Sequence, residues 1–430
     1  MKYDVIRSYW PAPIYDTDTA LLSLDFTAGT LPTAVTFTRA DSTARATYID
    51  ASGYVKTVAS AGDARFDYTG GVAKGLLIEA SAINRMTQSN TFTDTGAWVA
   101  KTNLNTTSWT GFTAPDQSTN AVRLVPNTTN GAHRIEHADV SGLTDSTQYT
   151  VSIWCKPDGY PRLGITTTYS NARRNFAPAS NSSTGYGAAS TGSIVAFPSG
   201  WYRCSMTFTT GAANTPFAVF LSVHNTDQDP VSSWAGNNTD GLQIWGCQVE
   251  LGAQASSYIP TTTAALTRLA DDAVIRSTAW TSLYAQPGAM VVEFYRGAYG
   301  AGDRSVLATD TTAARHWDLL HANGSATAQI AFSSGSAVTQ TGLVSGLNKV
   351  ALAWNAPTPT ASFDLCVNGA TPTFGGSNVG TTLSTWLTLG SQSTTGVSGS
   401  GTWDNYLNNS IKSVKYYTGL TYAEMQAKTT

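Results

Sequence analysis

Apolar and polar residues alternate with a period of two through the middle of this 430-residue chain, and that rhythm restricts its fold more than any other feature. In Tyr149-Thr-Val151-Ser-Ile153-Trp-Cys155 the odd positions face inward, while Thr150 and Ser152 face out. In Trp201-Tyr202-Arg-Cys204-Ser-Met206-Thr-Phe208 the even positions face inward, and in Phe217-Ala-Val219-Phe-Leu221-Ser-Val223 the odd ones do so again. Successive side chains of a strand point to opposite faces, so each run gives one face to a core. Several such strands joined by Gly-, Asn- and Ser-rich loops predict a jelly-roll or related sandwich over residues 86–265. Along Leu242-Gln-Ile244-Trp245-Gly246-Cys247-Gln-Val249 the apolar phase slips, which places a bulge beside Gly246.

A second sandwich is expected over residues 273–430. Its strands include Met290-Val-Val292-Glu-Phe294, Val350-Ala-Leu352-Ala-Trp354, Phe363-Asp-Leu365-Cys-Val367 and Trp386-Leu387-Thr-Leu389. Thr421-Tyr-Ala-Glu424 reads as a capping box that opens a short terminal helix, because hydroxyl and carboxylate satisfy exposed N–H groups. Thr261 to Asp272 reads as a linker between the two sandwiches. Residues 25–85 form a small β module whose turns, Asp50-Ala-Ser-Gly53 and Tyr68-Thr-Gly70-Gly71, use glycine's access to positive φ. It is too small for a large core and is expected to pack on the next domain. Residues 1–24 form an extended arm, since Tyr9-Trp10-Pro11-Ala12-Pro13-Ile14-Tyr15 mixes aromatics with two prolines. The expected fold is thus all-β: two tandem jelly-roll-type sandwiches, preceded by an arm and a small β module.

Composition excludes several function classes. Charged residues are 12% of the chain, against about 25% in ordinary globular proteins, and neutral polar residues fill the deficit. Net charge is -3 and no basic stripe occurs, so nucleic acid is not an expected partner. No run reaches the roughly 18 apolar residues of a membrane helix. MKYDVIRSYW lacks the apolar stretch of an export signal. Cys155, Cys204, Cys247 and Cys366 lie far apart inside strand patterns, without CxxC spacing, and read as buried free thiols.

Two separated phrases carry a resemblance. The first has Phe37, Arg39, Ala40, Asp41, Ser42, Ala46, Tyr48 and Asp50, then Gly75, Leu77, Glu79 and Asn84. The second has Leu242, Ile244, Trp245, Gly246, Gln248, Val249, Glu250, Gly252 and the run Ser257-Tyr258-Ile259-Pro260-Thr261. Together they span roughly residues 25–270 and resemble virion appendages of tailed phages and gene-transfer agents: head-spike fibres and tail-fibre-like proteins. The resemblance implies a virion part on the capsid or tail surface, commonly a trimer, and names no reaction. Neutral Thr/Ser-rich faces would let a homotrimer pair without charge repulsion. The strand order of the second sandwich, the Val367-Asn368-Gly369 hairpin and the terminal helix resemble laminin-G or concanavalin-A-like domains.

Catalytic patterns are weak. His133-Arg-Ile-Glu136-His137 matches the HxxEH pattern of an inverted zinc protease, but in a strand His133 and His137 share one face and Glu136 takes the other. A glycosidase needs two carboxylates about 5–10 Å apart across a cleft. Asp227, Asp229 and Asp240, or Asp63 with Asp67, are the available candidates, and loop aspartates usually cap turns. The same three loop aspartates could hold calcium, with a spacing that is not diagnostic. No enzyme, cofactor or metal is therefore expected.

Sugar binding suits the composition better. Aromatic rings offer a flat apolar face to a pyranose, and amides and carboxylates bond its hydroxyls. Trp234 with Asn237 and Asp240, Trp403 with Asp404, and Trp109 lie in polar loops and are the candidate glycan-binding residues, each tryptophan being alternatively a loop anchor packed into its own sandwich. Tyr9, Trp10 and Tyr15 are the candidates for attachment to other virion proteins. The expected function is a structural head fibre or spike adhering to host-surface polysaccharide. Tail fibre, ligand-free decoration protein and capsule-degrading hydrolase are the alternatives.

Overall fold

The computed structural model describes residues 20–41, 43, 45–107, 109–138, 140–168, 171–212, 217–276, 283, 287–297, 304–309, 317–321, 325–332, 337–354, 361–378, 386–391 and 406–430. The arm residues Tyr9, Trp10 and Tyr15, and the loop residues Trp403 and Asp404, lie outside the described residues.

The chain is all-β, with two sandwiches and one short described helix, Tyr422–Thr429. The first sandwich pairs two six-stranded antiparallel sheets. One runs Ser190–Ala196, Tyr202–Thr209, Gln148–Asp158, Gly241–Leu251, Val122–Pro126, Leu104–Asn105. The other runs Ser182–Gly187, Ala172–Ala177, Arg162–Thr167, Val219–His224, Arg134–His137, Ala100–Thr102. Tyr149, Val151, Ile153 and Cys155 meet Cys204, Met206, Phe208, Val219, Leu221 and Val223 in the core between them, as the alternation requires. The bulge falls where the phase slips. Pairing of the 148–158 strand with the 241–251 strand shifts between Ser152 and Trp154, and Gly246 adopts φ +65°. That shift keeps Ile244 and Cys247 inside while Trp245 turns to the outer face.

The second sandwich interleaves both flanks of the first. Its eight-stranded sheet runs Thr373–Asn378, Ala361–Val367, Gly346–Trp354, Gly288–Arg296, Asn409–Tyr417, Val72–Ile78, Phe66–Thr69, with Leu22–Asp25 also paired to Asn409–Tyr417. Its seven-stranded sheet begins with Thr36–Thr38 on Asp272–Arg276 and continues through Trp386–Leu389 to Ala337–Thr341. Leu24, Phe26, Leu76 and Ile78 therefore share one core with Val292, Phe294, Leu352 and Leu387. Gly75 is needed where the early strand meets the late one: a Cβ there would sit 2.1 Å from the Ile411 carbonyl oxygen, and its φ is +102°. Residues 25–85, read in sequence as a small β module, thus supply strands to the late sheets.

The first sandwich is consequently an insertion. Its entry and exit strands, Ala82–Asn84 and Leu266–Arg268, pair antiparallel as a two-stranded neck. The stretch 261–272, read as a linker, contains this neck strand, and Arg268 and Asp271 within it are fully buried. Its physical reason is ionic, described below. At the far end of the chain the expected cap is present. Thr421 accepts from the Glu424 amide, and Glu424 accepts from the Thr421 amide at 2.7 Å.

Candidate functional site

The residues of the two sequence phrases converge on the joint between the sandwiches. Arg65 is wholly buried. Its Nη1 lies 2.7 Å from Glu79 Oε2 and donates to the Thr47 carbonyl and Ser257 Oγ, while its Nη2 pairs with Asp271. Arg39 reaches Asp271 Oδ1 and Asp41 Oδ2, each at 3.0 Å. Glu79 also accepts from the Ser257 amide at 2.7 Å and faces Arg268 at 3.4 Å. Three guanidinium groups and three carboxylates therefore neutralise one another away from water, the condition under which buried charge is tolerated. Burial works to raise the Glu79 carboxyl, but Arg268, Arg65 and the Ser257 hydrogen bonds override it and hold it down at about 2.

Around this ionic centre the second phrase is tied down atom by atom. Asn84 donates to the Ile259 carbonyl at 2.8 Å and accepts from the Met86 and Val249 amides. Gln248 accepts from the Ile259 amide at 2.7 Å, Thr47 donates to the Tyr258 carbonyl, and Thr261 donates to the Met86 carbonyl. Beside them Trp154, Trp201, Trp245 and Tyr258 pack with Val55 of the hairpin Thr47–Ile49/Val55–Thr57. Thr150 and Ser152, expected to face out, do leave the core but are fully buried in this joint. There Thr150 bonds Thr207 and Ser152 accepts from Arg203. Arg39, Glu79, Asn84, Gln248 and residues 257–261 of the two phrases thus tie the two sandwiches together.

The described residues of the expected sugar platform take separate places. Trp234 is only 7% exposed and plugs the end of the first core. Its ring packs edge-on to His133 and Tyr160, with centroids 4.7 and 5.0 Å away, because the loop that carries it folds back and bridges to Gly131. Asn237 and Asp240 remain at the surface, but they bond one another at 2.6 Å and shape their own turn. Trp109 is half-buried against the core, and Lys101 sits over its ring at 5.1 Å. These residues do not come together around an open aromatic face.

The other chemical candidates are likewise accounted for. His133 and His137 are buried on one face of the strand Arg134–His137, and their ring nitrogens meet the carbonyls of Asn103, Trp234 and Thr87. Asp227 accepts from Thr184 and faces Arg162, and Asp229 pairs with Arg173 at 2.8 Å. Among the described residues no group of three or more His, Cys, Asp or Glu side chains is placed to hold a metal. All four cysteines are buried and free, with Cys155 and Cys204 sulfurs 3.6 Å apart.

A different feature is open. A groove of about 600 Å³ lies at the edge of the enclosing sandwich, lined by Gly29–Leu31, Tyr48, Asp50, Ala51, Asp63, Ala64, Phe66 and Tyr68. This volume is within the ~300–1,000 Å³ common for small-molecule sites. Tyr48, Phe66 and Tyr68 are half-buried, so each ring offers part of its surface. Asp67 behind them accepts from the Ile49 amide at 3.0 Å and so joins the two walls. Gly29, at φ +70°, places the rim turn beside the Tyr68 hydroxyl. Of these residues the sequence singles out Tyr48 and Asp50 as parts of the first phrase, Asp50, Ala51 and Tyr68 as turn residues, and Asp63 as half of an acid pair with Asp67. It had no signal that a hairpin and a sheet edge would bring them together.

No family model and no curated protein matches this chain. Solved structures do align with parts of it. The CBM40 of the Ruminococcus gnavus IT-sialidase bound to alpha2,3 sialyllactose is 19% identical, with a TM-score of 0.28, covering 35% of this chain and 87% of that one. Mouse laminin alpha1 domains LG4-5 are 9% identical, with a TM-score of 0.23, covering 66% and 86%. The LG1-3 region of the laminin alpha2 chain is 8% identical, with a TM-score of 0.23, covering 67% and 64%.

Proposed function

We propose that this chain is a non-enzymatic structural appendage of a tailed-phage particle, and that it adheres reversibly to host-surface glycan through the groove at Tyr48, Phe66 and Tyr68. The observation that carries the adhesive part is the groove itself. Three half-buried rings stand in one cleft with carboxylates at its rim. Such rings stack on the C–H face of a sugar, and the polar rim bonds its hydroxyls. The structural part rests on the resemblance carried by the two phrases, most of whose described residues are engaged in the joint. In this reading Tyr9, Trp10 and Tyr15 anchor the chain to other virion proteins, and a homotrimer multiplies weak contacts.

The test uses the single chain on a glycan array, to keep multivalency from hiding a modest loss. Tyr68→Ala and Tyr48→Ala should each weaken binding about fivefold, as expected for about 1 kcal/mol of stacking, without lowering the melting temperature. An array on which nothing binds, or binding indifferent to both substitutions, would remove the groove from consideration. Sugar release from host capsule would overturn the non-enzymatic reading.

A further inference from the structure

We infer that the groove selects uncharged saccharides and rejects acidic ones; this deepens the sugar-binding reading above and depends on it. The argument is the charge of the lining. Two carboxylates, Asp50 and Asp63, stand on the groove, and among the described residues neither Lys nor Arg lines it. Asp50 Oδ1 accepts from the Ser52 and Tyr54 amides, at 3.0 and 2.8 Å. Its Oδ2 has Lys56 3.8 Å away, and that ammonium also bonds Gln117 Oε1. Asp63 Oδ2 accepts from the Ser60 amide at 2.7 Å, and its Oδ1 has no partner among the described residues. Arg39 meets the Asp63 carbonyl at 3.2 Å, while its charge is matched by Asp41 and Asp271.

Cations behind the walls are directed elsewhere. Arg65 is held by Glu79 and Asp271, and the Lys74 ammonium lies over the Tyr295 ring at 4.7 Å. The Tyr48 and Tyr68 hydroxyls have no protein partner among the described residues, so both can donate to or accept from a ligand hydroxyl. The site thus offers carboxylate acceptors and phenol groups, which suit neutral hydroxyls. A sialate or uronate carboxylate would meet like charge from Asp50 and Asp63 across the cleft.

The experiment prints neutral glycans beside their sialylated or uronylated counterparts and measures the full chain against each pair. Wild type should prefer the neutral member by at least tenfold. Asp63→Asn, which retains an acceptor for the Ser60 amide, should tighten binding of the acidic member and so shrink that preference severalfold. Equal or tighter binding of the acidic member, with Tyr68→Ala still weakening it, would overturn this inference and leave the sugar-binding reading standing. A preference unmoved by both Asp63→Asn and Asp50→Asn would also overturn it. Absence of binding to any pair would overturn the reading and the inference together.

Discussion

The two sandwiches have the same architecture and opposite dependence on the chain. Every strand of the inserted one, from Ala100–Thr102 to Gly241–Leu251, comes from one uninterrupted stretch. Each sheet of the enclosing one mixes strands from before the insertion with strands from after it. The inserted unit can therefore satisfy its own ladders, while the enclosing unit is incomplete without both flanks. A cluster of buried charge lies where the two meet, at Arg39, Arg65, Glu79, Arg268 and Asp271.

The largest effect that could break this contrast comes from deletion. Removing residues 20–84 takes away strands from both enclosing sheets, so residues 272–430 should lose cooperative unfolding altogether. Residues 86–262 expressed alone should still melt as one cooperative unit, followed by tryptophan fluorescence in urea and by limited proteolysis. A truncated chain whose late sandwich unfolds cooperatively would show that the two are not opposites.

Asp271→Ala tests the joint. It strips Arg39 and Arg65 of a shared counter-charge in a buried site, and unpairing of this kind costs about 3–5 kcal/mol. A urea series should show that loss, with the single transition separating into two as the sandwiches uncouple. A change under about 1 kcal/mol would mean that the ionic centre contributes little beyond the hydrophobic packing around Trp154 and Trp245.

The smallest effect separates two buried acids on the enclosing side. Burial pushes Asp67 up to about 6 from an ordinary 3.8, against the Ile49 hydrogen bond and Lys74. An acid whose folded pKa is raised loses stability as pH climbs through that window, and the penalty persists above it. Asp67→Asn keeps an acceptor for Ile49, so it should raise the melting temperature at pH 7 and leave it unchanged near pH 3. Glu79 has the opposite sign. Held at about 2 against an ordinary 4.5, it stabilises the fold above the higher value, and that contribution disappears as pH falls toward the lower. An Asp67→Asn variant with no gain at neutral pH would place that carboxyl in a more solvated setting than its wall position implies.

Local rhythm made much of this fold legible. The alternation at Tyr149–Cys155 and Phe217–Val223, the slip beside Gly246 and the Thr421–Glu424 cap are all decided by near neighbours in sequence, and the structure has each of them. What failed to show was pairing across the insertion. Strand 72–78 looks like any short apolar run, and nothing near it announces that its neighbour is Asn409–Tyr417. The linker reading of 261–272 failed for the same reason, since Arg268 and Asp271 look solvated until their partners from residues 39–79 arrive. Trp234 takes the loop-anchor place despite its polar neighbours, because the ring follows its own hydrophobicity into the core. The groove was invisible because its walls come from a turn, a hairpin and a sheet edge that only tertiary folding assembles.

The paired neck strands carry a consequence for the order of events during synthesis. Residues 22–78 leave the ribosome before any of the late strands that complete their sheets exist. At about 5–20 residues per second the insertion alone delays those partners by roughly 10–40 s. The inserted sandwich can fold in that interval, and its folding delivers Asn84 and Leu266 to adjacent positions. A separation that would otherwise be a long random closure becomes a preset contact, which lowers the entropic cost of joining early strands to late ones. The insertion thereby acts as a timed splint: the carrier around it is finished last, from a start that has already been aligned.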